Sequence, residues 1–91
     1  MNSPQDFSLN QNYPNPFNPT TKIGFSIKDK TNVKITIFNT IGEQVATLLN
    51  EEKDAGYYQI DFNAADLPSG VYFYQMEAGN YLTTRKMTLV K

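Results

Sequence analysis

The chain has 91 residues, a formal net charge of −1, and neither cysteine nor histidine. This length fits one domain with one modest core. The small charge provides no field that would attract nucleic acid or an anionic membrane. The two missing residue types remove disulfides, thiolate nucleophiles, Cys-ligated zinc and the commonest general base. The composition therefore argues against an enzyme, a metal or cofactor protein and a nucleic-acid binder. A mean hydropathy of −0.49 argues against a membrane-inserted protein.

A proline-rich segment near the start is the most distinctive part of the sequence. Proline fixes φ, lacks an N–H donor and disfavours helical geometry in the residue before it. We therefore expect a stiff, extended segment that packs against the domain as an ordered linker, with its phenylalanine as a plug. Direct contact with a partner is a second, compatible role. The motif consists of Pro14, Asn15, Pro16, Phe17, Asn18 and Pro19.

Alternation of apolar and polar residues predicts strands along the rest of the chain. A short strand at residues 7–9 precedes six longer ones, and residues 1–6 are interpreted as linker or added residues before a domain at residues 7–91. Seven strands with turns every 8–12 residues predict an all-β, Ig-like or fibronectin-like antiparallel β-sandwich. The six longer strands are predicted at residues 21–27, 33–38, 43–49, 58–62, 71–78 and 81–90.

The connections between these strands also carry recognisable patterns. Gly42 suits the positive-φ position of a hairpin loop that starts at Asn39. Residues 50–56 are polar and predict a loop, and residues 64–67 could form a single helical turn. Tyr72 follows a turn by two residues, which is typical of a tyrosine corner, where the hydroxyl bonds to backbone a few residues upstream.

Several of these motifs occur together in one known family. They are residues 13–21, residues 37–42, Ala55-Gly56, residues 67–72, and Lys86-Met87 close to Lys91. In this order and spacing the chain resembles the type A C-terminal sorting domain of type IX secretion, over residues 7–91. A terminal address of this kind is expected to end the protein, as Lys91 ends this sequence.

The resemblance implies a non-catalytic domain at the C-terminus of a larger exported protein of a Gram-negative bacterium. The cargo upstream would reach the periplasm by its own signal and then cross an outer-membrane translocon that reads this domain. A sortase-like peptidase would remove the domain, and the cargo would be released or attached to the cell surface. The resemblance implies no cofactor, and we expect a monomer.

The resemblance also implies that recognition residues lie in two stretches near the end of the chain. The basic residues among them could equally be the solvated charges of an edge strand, which oppose edge-to-edge pairing. If they bind a partner, addition of a strand to an edge or terminal strand is a plausible mechanism. The expected recognition residues are Gly70, Val71, Tyr72, Arg85, Lys86, Met87, Leu89, Val90 and Lys91.

Two other functions are compatible with the sequence. The first is an Ig-like structural or adhesive accessory module of a secreted protein, with carbohydrate binding suggested by six tyrosines and six phenylalanines. The second is weak calcium binding by Glu51, Glu52 and Asp54, for which a solvated acidic loop is the simpler interpretation. What lies before residue 7 in the parent protein would separate a terminal address from an accessory module.

Overall fold

The computed structural model describes residues 4–91 and consists of β-strands and their connections. Residues 1–3, which belong to the predicted linker, lie outside the described residues. Nothing within residues 4–91 forms a helix long and apolar enough to cross a membrane. The strands are β1 Ser8–Leu9, β2 Thr20–Ile27, β3 Thr31–Phe38, β4 Gln44–Lys53, β5 Gly56–Asn63, β6 Gly70–Ala78 and β7 Tyr81–Leu89.

The strands form two antiparallel sheets, one with the order β1-β2-β5 and one with the order β4-β3-β6-β7. Lettered A to G in chain order, this is A-B-E against D-C-F-G. The constant-type immunoglobulin sandwich has A-B-E-D against C-F-G, so here the fourth strand pairs with the third instead of the fifth. The predicted all-β sandwich is confirmed, and its topology is compatible with an Ig-like fold.

The core lies between the sheets and is built by alternation in the central strands and in the edge strand β7. Successive side chains of a strand point to opposite faces, so every second residue of β2, β3, β6 and β7 turns inward. Full burial of each large apolar side chain contributes about 1.5–3 kcal/mol. The side chains that are almost entirely buried include Ile23, Phe25, Ile27, Val33, Ile35, Ile37, Tyr74, Met76, Met87 and Leu89.

The predicted loop at residues 50–56 is wrong. β4 continues to Lys53, which pairs with Thr31, and only two residues separate β4 from β5. β4 is an edge strand of its sheet, so its polar side chains can face water without disturbing the fold. For this reason the polar residues 50–53 were interpreted as part of a loop. Its register with β3 also skips Val45 and Leu48. These two β-bulges blur the alternation inside the predicted strand at residues 43–49, so the periodicity did not show where β4 ends.

The acidic residues considered for calcium lie beside lysines. Lys30 Nζ is 3.7 Å from a Glu52 carboxylate oxygen and 3.9 Å from one of Asp54. Lys53 Nζ is 3.7 Å from a Glu51 carboxylate oxygen. Such exposed pairs contribute at most about 1 kcal/mol each. The described part of the chain contains no group of three or more acidic side chains placed to hold a metal ion.

The hairpin turn between β3 and β4 has the predicted chemistry. The Asn39 side-chain oxygen accepts hydrogen bonds from the N–H groups of Ile41 (3.1 Å) and Glu43 (2.9 Å). Gly42 has φ of 86°, a conformation that other residues rarely adopt. The predicted helical turn at residues 64–67 is instead a reverse turn, closed by a hydrogen bond from Leu67 N–H to the Ala64 carbonyl at 3.0 Å.

Candidate functional site

The proline-rich segment crosses from one sheet to the other, and we call residues 11–18 the strap. Its first attachment is to the three-stranded sheet. Tyr13 and Lys22 of β2 exchange two backbone hydrogen bonds, each 3.0 Å long. This is an isolated bridge, so within the described residues the strap backbone pairs with β2 at Tyr13 alone and then turns away from the strand. The peptide bonds before Pro14, Pro16 and Pro19 are cis.

The second attachment is to β7 of the four-stranded sheet. Phe17 N–H donates to the Thr88 carbonyl at 3.0 Å, and Val90 N–H donates to the Phe17 carbonyl at 2.9 Å. Phe17 thereby forms a parallel bridge beside Leu89. The strap therefore ties the two sheets together along the side of the sandwich where β1 and β7 lie.

Phe17 anchors the strap in the core. Its side chain is only 2% exposed, and its ring centroid lies 6.1 Å from that of Phe62 at a tilted angle of 52°. Tyr13, in the same strap, is 80% exposed. The expectation of an ordered segment with Phe17 as a plug is therefore confirmed. The expectation that the segment is extended is wrong, because the backbone bends at residues 14–16 and 18–19.

A buried polar network holds the first part of the strap. The Tyr74 hydroxyl of β6 donates to the Asn10 carbonyl at 2.7 Å and accepts from Asn12 N–H at 2.8 Å. The buried Asn12 side chain donates to Thr21 Oγ1 at 3.0 Å and to the Pro14 carbonyl at 3.1 Å. Each buried polar group in this network thus has a partner, which is what makes its burial tolerable.

Burial raises the pKa of the Tyr74 hydroxyl, because the phenolate would lose its hydration. The hydrogen bond from Asn12 and the positive charge of Arg85 act in the opposite direction and are weaker. The hydroxyl is therefore held neutral, in the state that can donate to Asn10. This group therefore stabilises the fold by holding the first part of the strap.

The outer edge of β7 is occupied by strap atoms. Besides the Phe17 bonds, the Asn15 side-chain oxygen accepts from Thr88 N–H at 3.0 Å, and the Gln11 side-chain amide donates to the Lys86 carbonyl at 2.8 Å. A partner strand could therefore pair with β7 along this stretch only after displacing the strap. Strand addition at residues 86–90 is therefore not open to a partner in this conformation.

The two stretches of predicted recognition residues lie side by side. The register of β6 and β7 places Gly70 beside Leu89, Val71 beside Thr88, and Tyr72 beside Met87. Phe17 of the strap lies on the other side of Leu89. The N-terminal motif, the end of β7 and the start of β6 are therefore three adjacent rows of one surface, which we call the end patch.

Members of the end patch differ in accessibility. Tyr72, Met87 and Leu89 are buried and contribute to the core. Arg85, Lys86, Val90 and Lys91 are exposed, so their side chains are available to a partner in the folded domain. The Arg85 Nε–H group also donates to the Leu9 carbonyl, which links β7 to β1.

Comparison with known proteins identifies the family. A family model described as a secretion system C-terminal sorting domain matches residues 11–91. This chain belongs to that family. It is a sorting domain of type IX secretion, as its motifs suggested. The match begins at the first residue of the strap, and no curated protein matches the chain.

Lys91 of the sorting domain is tied to the corner before β6. Its N–H donates to Ser69 Oγ at 3.1 Å, and its Nζ donates to the Ala65 carbonyl at 2.6 Å. These contacts extend the end patch past β7. They hold the Lys91 backbone in place beside Gly70.

The tyrosine corner of the sorting domain is confirmed, because the Tyr72 hydroxyl donates to the Pro68 carbonyl at 2.7 Å. We expect Tyr72→Phe to lower the free energy of unfolding by about 1–1.5 kcal/mol, since a partly buried carbonyl loses its donor. Urea denaturation followed by circular dichroism measures this. Tyr57→Phe, at a 70% exposed position, is the control and should change little. An equal loss in the two variants would contradict the corner's contribution.

Sequence reasoning missed the residues that hold the strap, namely Gln11, Asn12 and Tyr74. Asn12 and Gln11 were not distinguishable from ordinary loop residues. Tyr74 carried a usable sign, because its alternation with Tyr72 and Met76 places it in the core, and a buried tyrosine hydroxyl needs a hydrogen-bond partner. Its partners lie 62 and 64 residues away in sequence, so they could not be named.

Proposed function

We propose that this sorting domain directs an upstream cargo protein through the type IX outer-membrane translocon, without a catalytic role of its own. The observation that carries the proposal is the end patch. Three motifs that are distant in sequence meet there, while most of their apolar side chains are consumed by the core. The side chains that remain exposed, among them Arg85, Lys86 and Lys91, are available for recognition by another protein.

In this proposal the cargo passes through the periplasm and is then secreted or attached to the cell surface. The translocon reads the folded domain, and a sortase-like peptidase separates it from the cargo. The exposed basic residues Arg85, Lys86 and Lys91 supply charge complementarity, which governs encounter and register more than the area of contact does. The buried residues of the motif, such as Leu89, act by keeping the patch in shape.

A reporter fused before this domain tests the proposal in a Gram-negative host with the pathway. The reporter should appear on the surface or in the medium, and removal of residues 85–91 should leave it in the periplasm. Because that deletion also removes core residues, Lys86→Glu with Lys91→Glu is the sharper variant. We expect about tenfold lower delivery, equivalent to about 1.4 kcal/mol of binding free energy. The urea midpoint should fall only slightly, because the Lys91 Nζ bond to Ala65 that the variant loses is exposed.

The matched control for this double variant is Lys28→Glu with Lys30→Glu, which makes the same charge change away from the end patch. Both lysines are exposed, and Lys30→Glu also loses the exposed pairs with Glu52 and Asp54. A small loss of stability in the control is therefore expected and makes it the more stringent comparison. Normal delivery is expected for the control. Normal surface delivery of the fusion that lacks residues 85–91 would contradict the proposed function.

A saccharide-binding accessory module is the second candidate, and one pocket favours it. An open pocket of about 380 Å³ is lined by Tyr13, Pro14, Thr20, Thr21, Lys22 and Asp61. The exposed Tyr13 ring offers a stacking face, and the Lys22–Asp61 pair at 2.8 Å offers a donor and an acceptor for hydroxyl groups. A glycan array with the domain and with Tyr13→Ala tests this candidate. Binding that the substitution abolishes would support it.

A further inference from the structure

The two sheets of this sandwich have four edge strands, and three of them are protected. β7 is covered by the strap at residues 86–90 and carries the charged residues Arg85 and Lys86. β1 is two residues long, and its Leu9 carbonyl accepts from Arg85. β4 is interrupted by bulges at Val45 and Leu48 and ends in charged residues. Short length, bulges, charges and covering segments are the devices by which proteins prevent unwanted strand pairing.

β5 has none of these devices. It pairs with β2 over eight consecutive residues without a register shift. It contains no lysine, arginine or proline, and its one charged residue is Asp61. Asp61 is already engaged by Lys22 across the strand pair, at 2.8 Å. An edge that is long, regular and nearly uncharged is a template for pairing with another strand.

The direction of the free backbone groups of β5 follows from the pairing of β2. Lys22 uses its N–H and C=O for Tyr13, on the side of β2 away from β5. Its partner Asp61 therefore belongs to a non-hydrogen-bonded pair, and its own N–H and C=O point outward. By the same alternation, the outward set is Tyr57, Gln59, Asp61 and Asn63. Nothing in residues 4–91 hydrogen-bonds these backbone groups.

Apolar side chains under this edge are incompletely covered. Tyr58 and Ile60 of β5 face the core yet are only half-buried. Their β2 partners, Phe25 and Ile23, are 2% and 0% exposed. The difference arises because β2 has a neighbour on both sides and β5 has one. A further strand beside β5 would cover this strip if its inward residues were apolar.

We propose that β5 is a docking edge for an extended segment of a partner protein, which adds a fourth strand to the β1-β2-β5 sheet. The segment carries apolar side chains at alternate positions, to cover Tyr58 and Ile60, and polar ones between them. Main-chain hydrogen bonds supply its affinity, as in other cases of strand addition. This inference rests on the proposed function and deepens it, since the partner is a component of the secretion machinery.

A second copy of this chain fits the edge less well. A β5–β5 ladder joins one row of eight residues on each copy, against the roughly 20–30 residues a side of a stable interface. A flexible peptide segment can contact more than the eight residues of β5, because it can also fold over the half-buried side chains of Tyr58 and Ile60. The partner segment is therefore the occupant that the edge favours.

Gln59→Pro tests the backbone role of this edge in the reporter fusion. Proline removes the outward N–H of residue 59 and leaves the ladder with β2 intact, which is the strand position where proline is tolerated. Gln59→Ala shortens the side chain and keeps the N–H. We expect about tenfold lower surface delivery for Gln59→Pro and normal delivery for Gln59→Ala, with both domains folded by circular dichroism.

The outcomes separate this inference from the proposed function. Normal delivery of Gln59→Pro would overturn the docking edge and leave the sorting function standing. Equal loss in both variants would assign the effect to the side chain and would also overturn it. If the unsubstituted fusion were not delivered at all, the proposed function would fail. The docking edge would then be tested by the peptide-binding measurement described next.

A binding measurement on the unsubstituted chain does not depend on delivery or on the folding of a variant. The probe is a synthetic peptide with the sequence of β2, Thr20–Ile27, which alternates as the edge requires. At millimolar peptide, amide exchange at Tyr57, Gln59 and Asp61 should slow about tenfold. Unchanged exchange would overturn the inference. Protection that instead rises with the concentration of the chain alone would identify a second copy as the occupant and also overturn it.

Discussion

Replacing Phe17 with alanine is expected to lower the free energy of unfolding by about 3–5 kcal/mol, the usual loss for a buried phenylalanine. The side chain is 2% exposed and packs beside Phe62, so its removal leaves a cavity as well as lost burial. For a domain whose total stability is about 5–15 kcal/mol, this is a large fraction. Urea denaturation followed by far-ultraviolet circular dichroism measures the loss.

Tyr13→Ala is the matched control for this prediction. It truncates an aromatic residue of the same strap whose side chain is 80% exposed. We expect a change within about 0.5 kcal/mol, as for most surface substitutions. Similar losses in the two variants would show that the strap is not anchored through Phe17.

Replacing Tyr74 with phenylalanine is expected to lower the free energy of unfolding by about 2–3 kcal/mol. The substitution keeps the ring and removes one hydroxyl, which serves the Asn10 carbonyl at 2.7 Å and Asn12 N–H at 2.8 Å. Both backbone groups then lack a partner inside the protein, and such groups are expensive to bury. Tyr13→Phe removes an exposed hydroxyl and is the control. A loss below about 0.5 kcal/mol for Tyr74→Phe would contradict the tethering role.

The same hydroxyl predicts how stability depends on alkaline pH. Its pKa is raised in the folded state by burial, whereas in the unfolded chain it is about 10. Its contribution is therefore complete below pH 10 and is lost as the pH rises through the folded-state value, because the unfolded chain releases its proton first. The urea midpoint should fall above pH 10, and less steeply in Tyr74→Phe. Equal slopes would contradict this linkage.

The sequence predicted all seven strands, and its main error was the end of the edge strand β4. One face of β2, β3 and β6 packs on the core and the other faces outward, so apolar and polar residues tend to alternate along these strands. β4 is solvated along one side and bulged at Val45 and Leu48, and its polar end at Lys53 looked like a loop. Edge strands need less apolar patterning than central ones, so periodicity can reveal such a strand without showing where it ends.

For the site, the sequence predicted the segments and not their contacts. The proline motif, the tyrosine corner and the basic end were each visible locally. Their meeting at Leu89, between Phe17 and Gly70, depends on a register across three segments. The accessible part of the end patch could have been inferred from alternation, since Lys86 and Met87 are neighbours in one strand and face opposite ways.

The strap joins residues that are far apart along the chain, and this has a kinetic consequence. Its bonds to β7 span 73 and 75 residues, and the Arg85 bond to Leu9 spans 76. These contacts can form only after the long chain between them has been ordered, which costs conformational entropy. β-sandwiches with many contacts between residues distant in sequence fold in about milliseconds to seconds. The end patch should therefore be among the last parts to assemble, and a partner that reads it would meet only chains that have finished folding.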